Sequence, residues 1–425
     1  MKKFAAKIMT LALVGLLLSN ISIGQVCKEI IGYYPNWQQY KRNGLFNQKN
    51  LDFTKYTIIN YAFMSPDENG TIVLNDPWGD NLILGGEIDW ANTSDPDNPS
   101  FVPYTSMVDL AHQGGAKVMV SLGGWTLSTH FPGVAADPVK RTHFASECVR
   151  ICKKYNFDGI DIDWEFPGAS PGNGCIANPN DTENFNLMID EIRDSLTAYG
   201  KTRNQYYLLT AAFHSVPYLA ANLDWDHVAK VLDYINLFGY DFYGAWDPIT
   251  NHNSPLYPPA QGTPGVNQSE GFKLLRDTYK VPAEKLILGI GFYGRSMAGC
   301  KGGAGLHVEH SGQADKESFP EDEGSPSYYN ILGAMGDFER KWDDIAKVPY
   351  MLGQKSPSFL GYDDIVSVGY KANYIMDNNA AGCLIWEISQ DLIEKPVGSG
   401  NIVATPLIDK INEVFSSRCT EQASK

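Results

Sequence analysis

Short apolar runs that alternate with longer helical patterns predict an α/β chain, a (β/α)8 TIM barrel with a small inserted domain after the seventh strand. Three observations carry this. Eight strand-like apolar runs occur along the 425 residues, most of them separated by helix-length segments. Their spacing breaks once, between Ser296 and Leu360. The fourth run, Phe157 to Glu165, sets acids at alternate positions up to the strand end, where a barrel of this kind carries its chemistry.

The expected strands, in order, are Glu29–Tyr34, Tyr56–Met64, Lys117–Leu122, the acid-rich fourth run, Tyr206–Phe213, Tyr234–Tyr240, Leu286–Tyr293 and Gly382–Trp386. Each is short and apolar, as a strand covered on both faces should be. Helical patterns fall over Thr105–Gln113, Pro138–Tyr155, Thr182–Tyr199, Ser269–Tyr279, Tyr362–Asn378 and Leu407–Phe415. The segment that breaks the rhythm is rich in Gly, Ser, Asp and Glu and carries Tyr328-Tyr329-Asn330-Ile331-Leu332. It is too long for an ordinary connection. The barrel is therefore expected over residues 25–295 and 361–425, with the insertion at 296–360.

An apolar content of 43% is ample for a core, and 9 Trp, 23 Tyr and 19 Phe exceed what a core alone requires. The formal net charge of −15 argues against nucleic acid and leaves neutral substrates open. Residues 1–24 read as a secretory signal peptide, with Lys2, Lys3 and Lys7, the apolar segment Ile8 to Leu18, then Ser22-Ile23-Gly24. The apolar segment is too short to span a bilayer, so a secreted protein without a membrane partner is expected. Seven cysteines follow, an odd number, so at least one is unpaired in the expected monomer. Cys148 and Cys152, four apart on a helix, are poorly spaced for a bridge, and no C-x-x-C pair suggests zinc. Asn69, Asn92, Asn180 and Asn267 fit the N-glycosylation pattern.

The fourth strand holds the chemistry. Side chains alternate along a strand, so Asp161, Asp163 and Glu165 share one face while Ile160, Ile162 and Trp164 share the other. A row of acids in an apolar setting costs desolvation and mutual repulsion, which implies a use for it. Asp158 has the opposite parity and is read as structural. The run lacks the glycine of a calcium loop, and acids on one side only make a poor cage, so no metal is expected. Gly299 to Gly305 do not fit a phosphate loop, and no cofactor is expected.

The whole set of motifs closely resembles the family 18 glycoside hydrolases, in particular the chitinases with an α+β insertion after strand seven. The resemblance rests on D-x-x-D-x-D-x-E at Asp158, Asp161, Asp163 and Glu165; on Ser121-Leu122-Gly123-Gly124; and on Gly32, Tyr33 and Trp37. It continues with Tyr240-Asp241 followed by Gly244, Trp246 and His252 to Leu256, then Tyr293-Gly294-Arg295 and Trp386-Glu387. One departure is Phe238, where many relatives have Met.

The resemblance implies that Glu165 is the general acid, its proton affinity raised by nearby Asp163. Two carboxylates on one strand are badly placed for attack from opposite sides of a sugar. The family instead uses the substrate's 2-acetamido oxygen as nucleophile. Asp163 would orient that group, Asp161 would share a proton with Asp163, and Tyr240 would hold the acetamido oxygen. Asp241 would bind a hydroxyl or the acetamido region, and Arg295 would be either a sugar contact or an ion-pair member. Trp386 would be the floor beneath the reacting sugar, with Tyr33, Phe63 and Tyr293 as walls and Trp37, Trp125 and Trp246 along the cleft. The expected partner is chitin or its N-acetylglucosamine oligosaccharides, with the insertion raising one wall of a long cleft. An endo-N-acetylglucosaminidase acting on peptidoglycan or N-glycans is a second reading. A non-catalytic chitin-binding lectin is a third, disfavoured because Glu165 is present.

Overall fold

The computed structural model describes residues 27–93, 95 and 98–423. The expected leader at 1–24 lies outside the described residues. Eight parallel strands form the barrel: β1 (Glu29–Pro35), β2 (Ile58–Pro66), β3 (Lys117–Gly123), β4 (Gly159–Asp163), β5 (Leu208–His214), β6 (Tyr234–Phe238), β7 (Leu286–Gly291) and β8 (Gly382–Trp386). Each pairs with its neighbour, and β1 pairs with both β8 and β2, which closes the sheet.

Strand alternation sorts the side chains into two cores. Ile160, Ile162 and Trp164 face outward into the layer shared with the helices. Trp164 stacks on Phe131 with ring centroids 5.6 Å apart, and burying one such ring contributes about 1.5–3 kcal/mol. Tyr33, Met119, Ala212, Tyr240 and Leu384 face the barrel interior.

The local sequence delivers β4 to its place. Asp137 caps the helix Pro138–Tyr155 by accepting from Val139 and Lys140 N–H, and Asn156 ends it at φ 59°. Asp158 then accepts from Val118 N–H at 2.8 Å and from the His112 ring at 2.7 Å, pinning the start of β4 against β3. This is the structural role expected for Asp158. At the other end, Gly123 (φ 113°) lets β3 approach closely, because a Cβ there would lie 2.3 Å from the Asp163 carbonyl oxygen.

Between β7 and β8, strands Arg295–Met297, Phe338–Asp343, Val348–Gly353 and Phe359–Gly361 form an antiparallel sheet with the helix Tyr328–Ala334. Arg295 begins that sheet.

Several expected boundaries shift. The sixth and seventh strands stop at Phe238 and Gly291, so Tyr240 and Tyr293 stand on loops beyond them. The helix expected at Ser269–Tyr279 is α-helical over Gln268–Lys273 and continues as a π turn, Leu274–Thr278. Short helices at Pro77–Gly85, Phe131–Ala136 and Trp225–Val231 go beyond the sequence reading. Cys27 and Cys419 form a disulfide that ties the entry to β1 to the last helix, Pro406–Ala423. The other five cysteines are free and buried. Asn267 is fully buried and its side chain donates to Glu270, so it is no glycan acceptor in the folded state, whereas Asn69, Asn92 and Asn180 are exposed.

Candidate active site

A cleft of about 1130 Å³ opens at the carboxyl ends of the strands. Asp161 lies beneath its floor, fully buried. It accepts hydrogen bonds from Tyr33 (3.0 Å), Ser121 (2.8 Å), Thr210 (2.5 Å) and Asn236 (3.0 Å), which come from β1, β3, β5 and β6. Burial pushes its proton affinity up and these donors oppose the push.

Asp163, one step higher, lines the cleft. Its Oδ2 meets the Tyr33 hydroxyl at 3.5 Å, while its Oδ1 is buried with no partner among the described residues. Burial, then the charges of Glu165 and Asp161, hold its pKa well above the carboxylate range. Tyr33 touches both acids and so couples them.

Glu165 stands two residues past the end of β4. Its N–H donates to Ser128 Oγ (2.9 Å) and its C=O accepts from Asn173 (3.1 Å), which fixes the backbone from both sides. Among the described residues, nothing hydrogen-bonds its carboxyl, which faces the cleft. Its pKa is pushed up to about 8, by burial first and by Asp241 second. The expected repulsion between Asp163 and Glu165 is present as well: it is mutual, and it adds to burial in holding protons on this pair.

Tyr240 and Asp241 follow β6. The Tyr240 hydroxyl is buried with no hydrogen-bond partner among the described residues, its ring packed against Phe238 (5.6 Å) and Tyr293 (5.8 Å). Asp241 accepts a bidentate pair from Arg295 (2.7 and 2.8 Å) and a hydrogen bond from Tyr293 (2.5 Å). Burial raises its proton affinity, but the Arg295 charge and these bonds outweigh it, leaving the pKa lowered. Arg295 is thus an ion-pair member that also lines the cleft, stacked over Trp246 at 5.3 Å.

Trp386, at the end of β8, packs on Tyr33 (5.1 Å), Phe63 (5.8 Å) and Trp37 (6.2 Å). Trp37, Trp125 and Trp246 are 38%, 48% and 59% exposed along the cleft, far from core packing. Tyr33 and Tyr293, expected as walls, lie behind the lining and are buried, with their hydroxyls committed to Asp161 and Asp241. The sequence reading passed over His214, Phe166 and Tyr218, which line the β4–β5 side. A signal for His214 was available, since it shares strand parity with Thr210, the partner of Asp161.

A carboxylic acid of raised proton affinity above stacked aromatic rings, in the mouth of a β/α barrel, is a site of the glycoside hydrolase class. The family model for glycosyl hydrolases family 18 matches residues 29–391, and the chain belongs to that family. It is 35% identical over 414 residues to chitinase A1 of Niallia circulans, a match covering 85% of this chain and 56% of that one. The chain therefore spans little more than half the length of that relative. It is 30% identical over 368 residues to endochitinase 1 of Metarhizium robertsii, covering 84% and 80% of the two chains. The fold is similar to that of the Ostrinia furnacalis group IV chitinase solved with allosamidin, with TM-score 0.77, 27% identity, and coverage of 92% of this chain and 99% of that one.

Proposed function

We propose that the chain is a secreted chitinase that hydrolyses β-1,4 bonds between N-acetylglucosamine units, with the substrate's own acetamido group as nucleophile. The observation that carries this is a pair of unpartnered buried atoms on cleft-lining residues, Asp163 Oδ1 and the Tyr240 hydroxyl. One is an acceptor and the other a donor, as an acetamide N–H and C=O require. The remaining cleft carboxylate, Asp241, is neutralised by Arg295 and Tyr293 and is a poor nucleophile.

Protonated Glu165 gives its proton to the bridging oxygen as the C1–O bond breaks. The acetamido oxygen bonds to C1 and forms a cyclic oxazolinium cation. Asp163 passes its shared proton to Asp161, and the carboxylate so formed accepts from the N–H and offsets the positive charge, while Tyr240 positions the oxygen before attack. Water then adds to C1 from the face the leaving group vacated, giving its proton to Glu165 as the bond from C1 to the acetamido oxygen breaks, so the acetamide is restored and the anomeric configuration is retained. Trp386 packs beneath the reacting ring.

Chitotetraose should be cleaved, with the β-anomer formed first, while fully deacetylated chitosan should be inert. Glu165→Gln should keep oligosaccharide binding and lose turnover by several orders of magnitude. Fast chitosan hydrolysis would refute the internal nucleophile. A wild type inert on chitotetraose but able to bind it would favour a lectin, and preferential release of glycans from glycoprotein would favour the endo-N-acetylglucosaminidase. Secretion is supported by the Cys27–Cys419 bridge, which needs an oxidising compartment. N-terminal sequencing of exported protein should find a start near residue 25.

A further inference from the structure

His214 is the last residue of β5 and lines the cleft beside Phe166, the residue that follows the general acid. Three rings hold its imidazole edge-on: Phe242 at 5.2 Å, Phe238 at 6.3 Å and Phe166 at 6.4 Å. Among the described residues its Nδ1 has no hydrogen-bond partner, while the backbone of Tyr240 and Asp241 faces the ring. The mechanism above does not use it. Burial among these rings pushes its pKa down to about 4, so it is neutral at working pH, with one nitrogen a donor and the other an acceptor.

The rings also fix the direction of the saccharide. Trp386 packs with Trp37 and Phe63 on the β1–β2 side, so the reacting sugar and the units before it lie there. In strand order His214, at the end of β5, comes after the acid-bearing β4 and away from β1 and β2, which is the side left for the leaving sugar. We propose that the neutral His214 imidazole is the polar contact for the leaving-group sugar, hydrogen-bonding a hydroxyl or acetamido group of that unit. It thereby makes the enzyme prefer a sugar to an apolar leaving group. Phe166 and Phe238 cover the apolar face of the same unit. This rests on the hydrolase reading above. His214 is a specificity-determining residue here, with no share in proton transfer.

The test uses two substrates that differ only in what leaves. Chitotetraose leaves a sugar, and the 4-nitrophenyl glycoside of N,N′-diacetylchitobiose leaves a phenol without sugar hydroxyls. His214→Phe keeps the ring packing and removes both nitrogens. It should lower kcat/KM for chitotetraose by roughly three- to tenfold, one hydrogen bond's worth, and leave the aryl glycoside unchanged. His214→Gln should recover part of the loss. An equal loss on both substrates, or none on either, overturns the proposal. A second readout holds even if His214→Phe fails to fold. In Glu165→Gln protein, the ¹⁵N shifts of the His214 ring should move when chitotetraose binds, and unmoved shifts with saturating sugar overturn the contact. A wild type inert on both substrates would instead refute the hydrolase reading, and the ring shifts would still decide whether His214 touches the sugar.

Discussion

Replacing Tyr240 with Phe separates two effects that usually run together. The hydroxyl is buried and bonds to none of the described residues, so its loss breaks no hydrogen bond among them and relieves an unmatched polar atom. The ring contacts to Phe238 and Tyr293 remain. Folding stability should therefore hold or rise by up to about 1 kcal/mol, with the melting midpoint shifted by no more than about 2–4 °C. Catalysis should suffer, because the same hydroxyl holds the acetamido oxygen in line for attack on C1. Loss of that positioning should cost about 10² in kcat, or roughly 3 kcal/mol. The assays are a thermal melt and the kcat for chitotetraose on one preparation. A midpoint that falls by many degrees, or a kcat reduced less than about tenfold, would refute the claim that this hydroxyl waits unpartnered for substrate.

Further outcomes follow from the charges. Glu165 must be protonated to act and its pKa is pushed up to about 8, so kcat/KM should fall about tenfold per pH unit above that value, as a pH–rate profile would show. Asp241→Asn removes the charge that helps hold that proton, so this alkaline limb should move to lower pH. An unmoved limb would show that burial alone sets it. The folded state binds the Glu165 proton more tightly than the unfolded chain does, so its contribution to stability is full below about 4.5 and is lost as pH rises toward 8. Glu165→Gln should therefore match wild type in denaturant melts near pH 4 and exceed it at pH 8. Cys27→Ser opens a bridge spanning 392 residues, and should cost about 2–5 kcal/mol in denaturant unfolding, as should reduction of the wild type.

Much of the site was legible because one strand carries it. Period-two alternation placed Asp161 and Asp163 inward and Ile160 and Ile162 outward without any knowledge of neighbours. Alternation gives a face but not a depth. That is why Tyr33 and Tyr293 were expected in the wall, when their hydroxyls are drawn beneath it by Asp161 and Asp241. Contacts between strands were equally hidden. The charge next in weight to burial at Glu165 belongs to Asp241, 76 residues on, a proximity set by barrel closure. The Cys27–Cys419 bridge likewise depends on the last helix returning to the first strand. His214 was missed for a different reason: a lone histidine on an apolar strand carries no motif, and its parity with Thr210 gives a face, while its three enclosing rings and open nitrogen are visible only in the fold.

The central claim is that the substrate's acetamido oxygen performs the attack, held between Asp163 and Tyr240. Its most direct test is the rate on 4-nitrophenyl chitobiosides whose N-acyl groups carry none, one, two or three fluorines. Each fluorine withdraws electrons from that oxygen without touching the leaving group. The account predicts a steep, progressive fall in kcat across the series. A flat series would contradict it and would require a nucleophile supplied by the protein or by water.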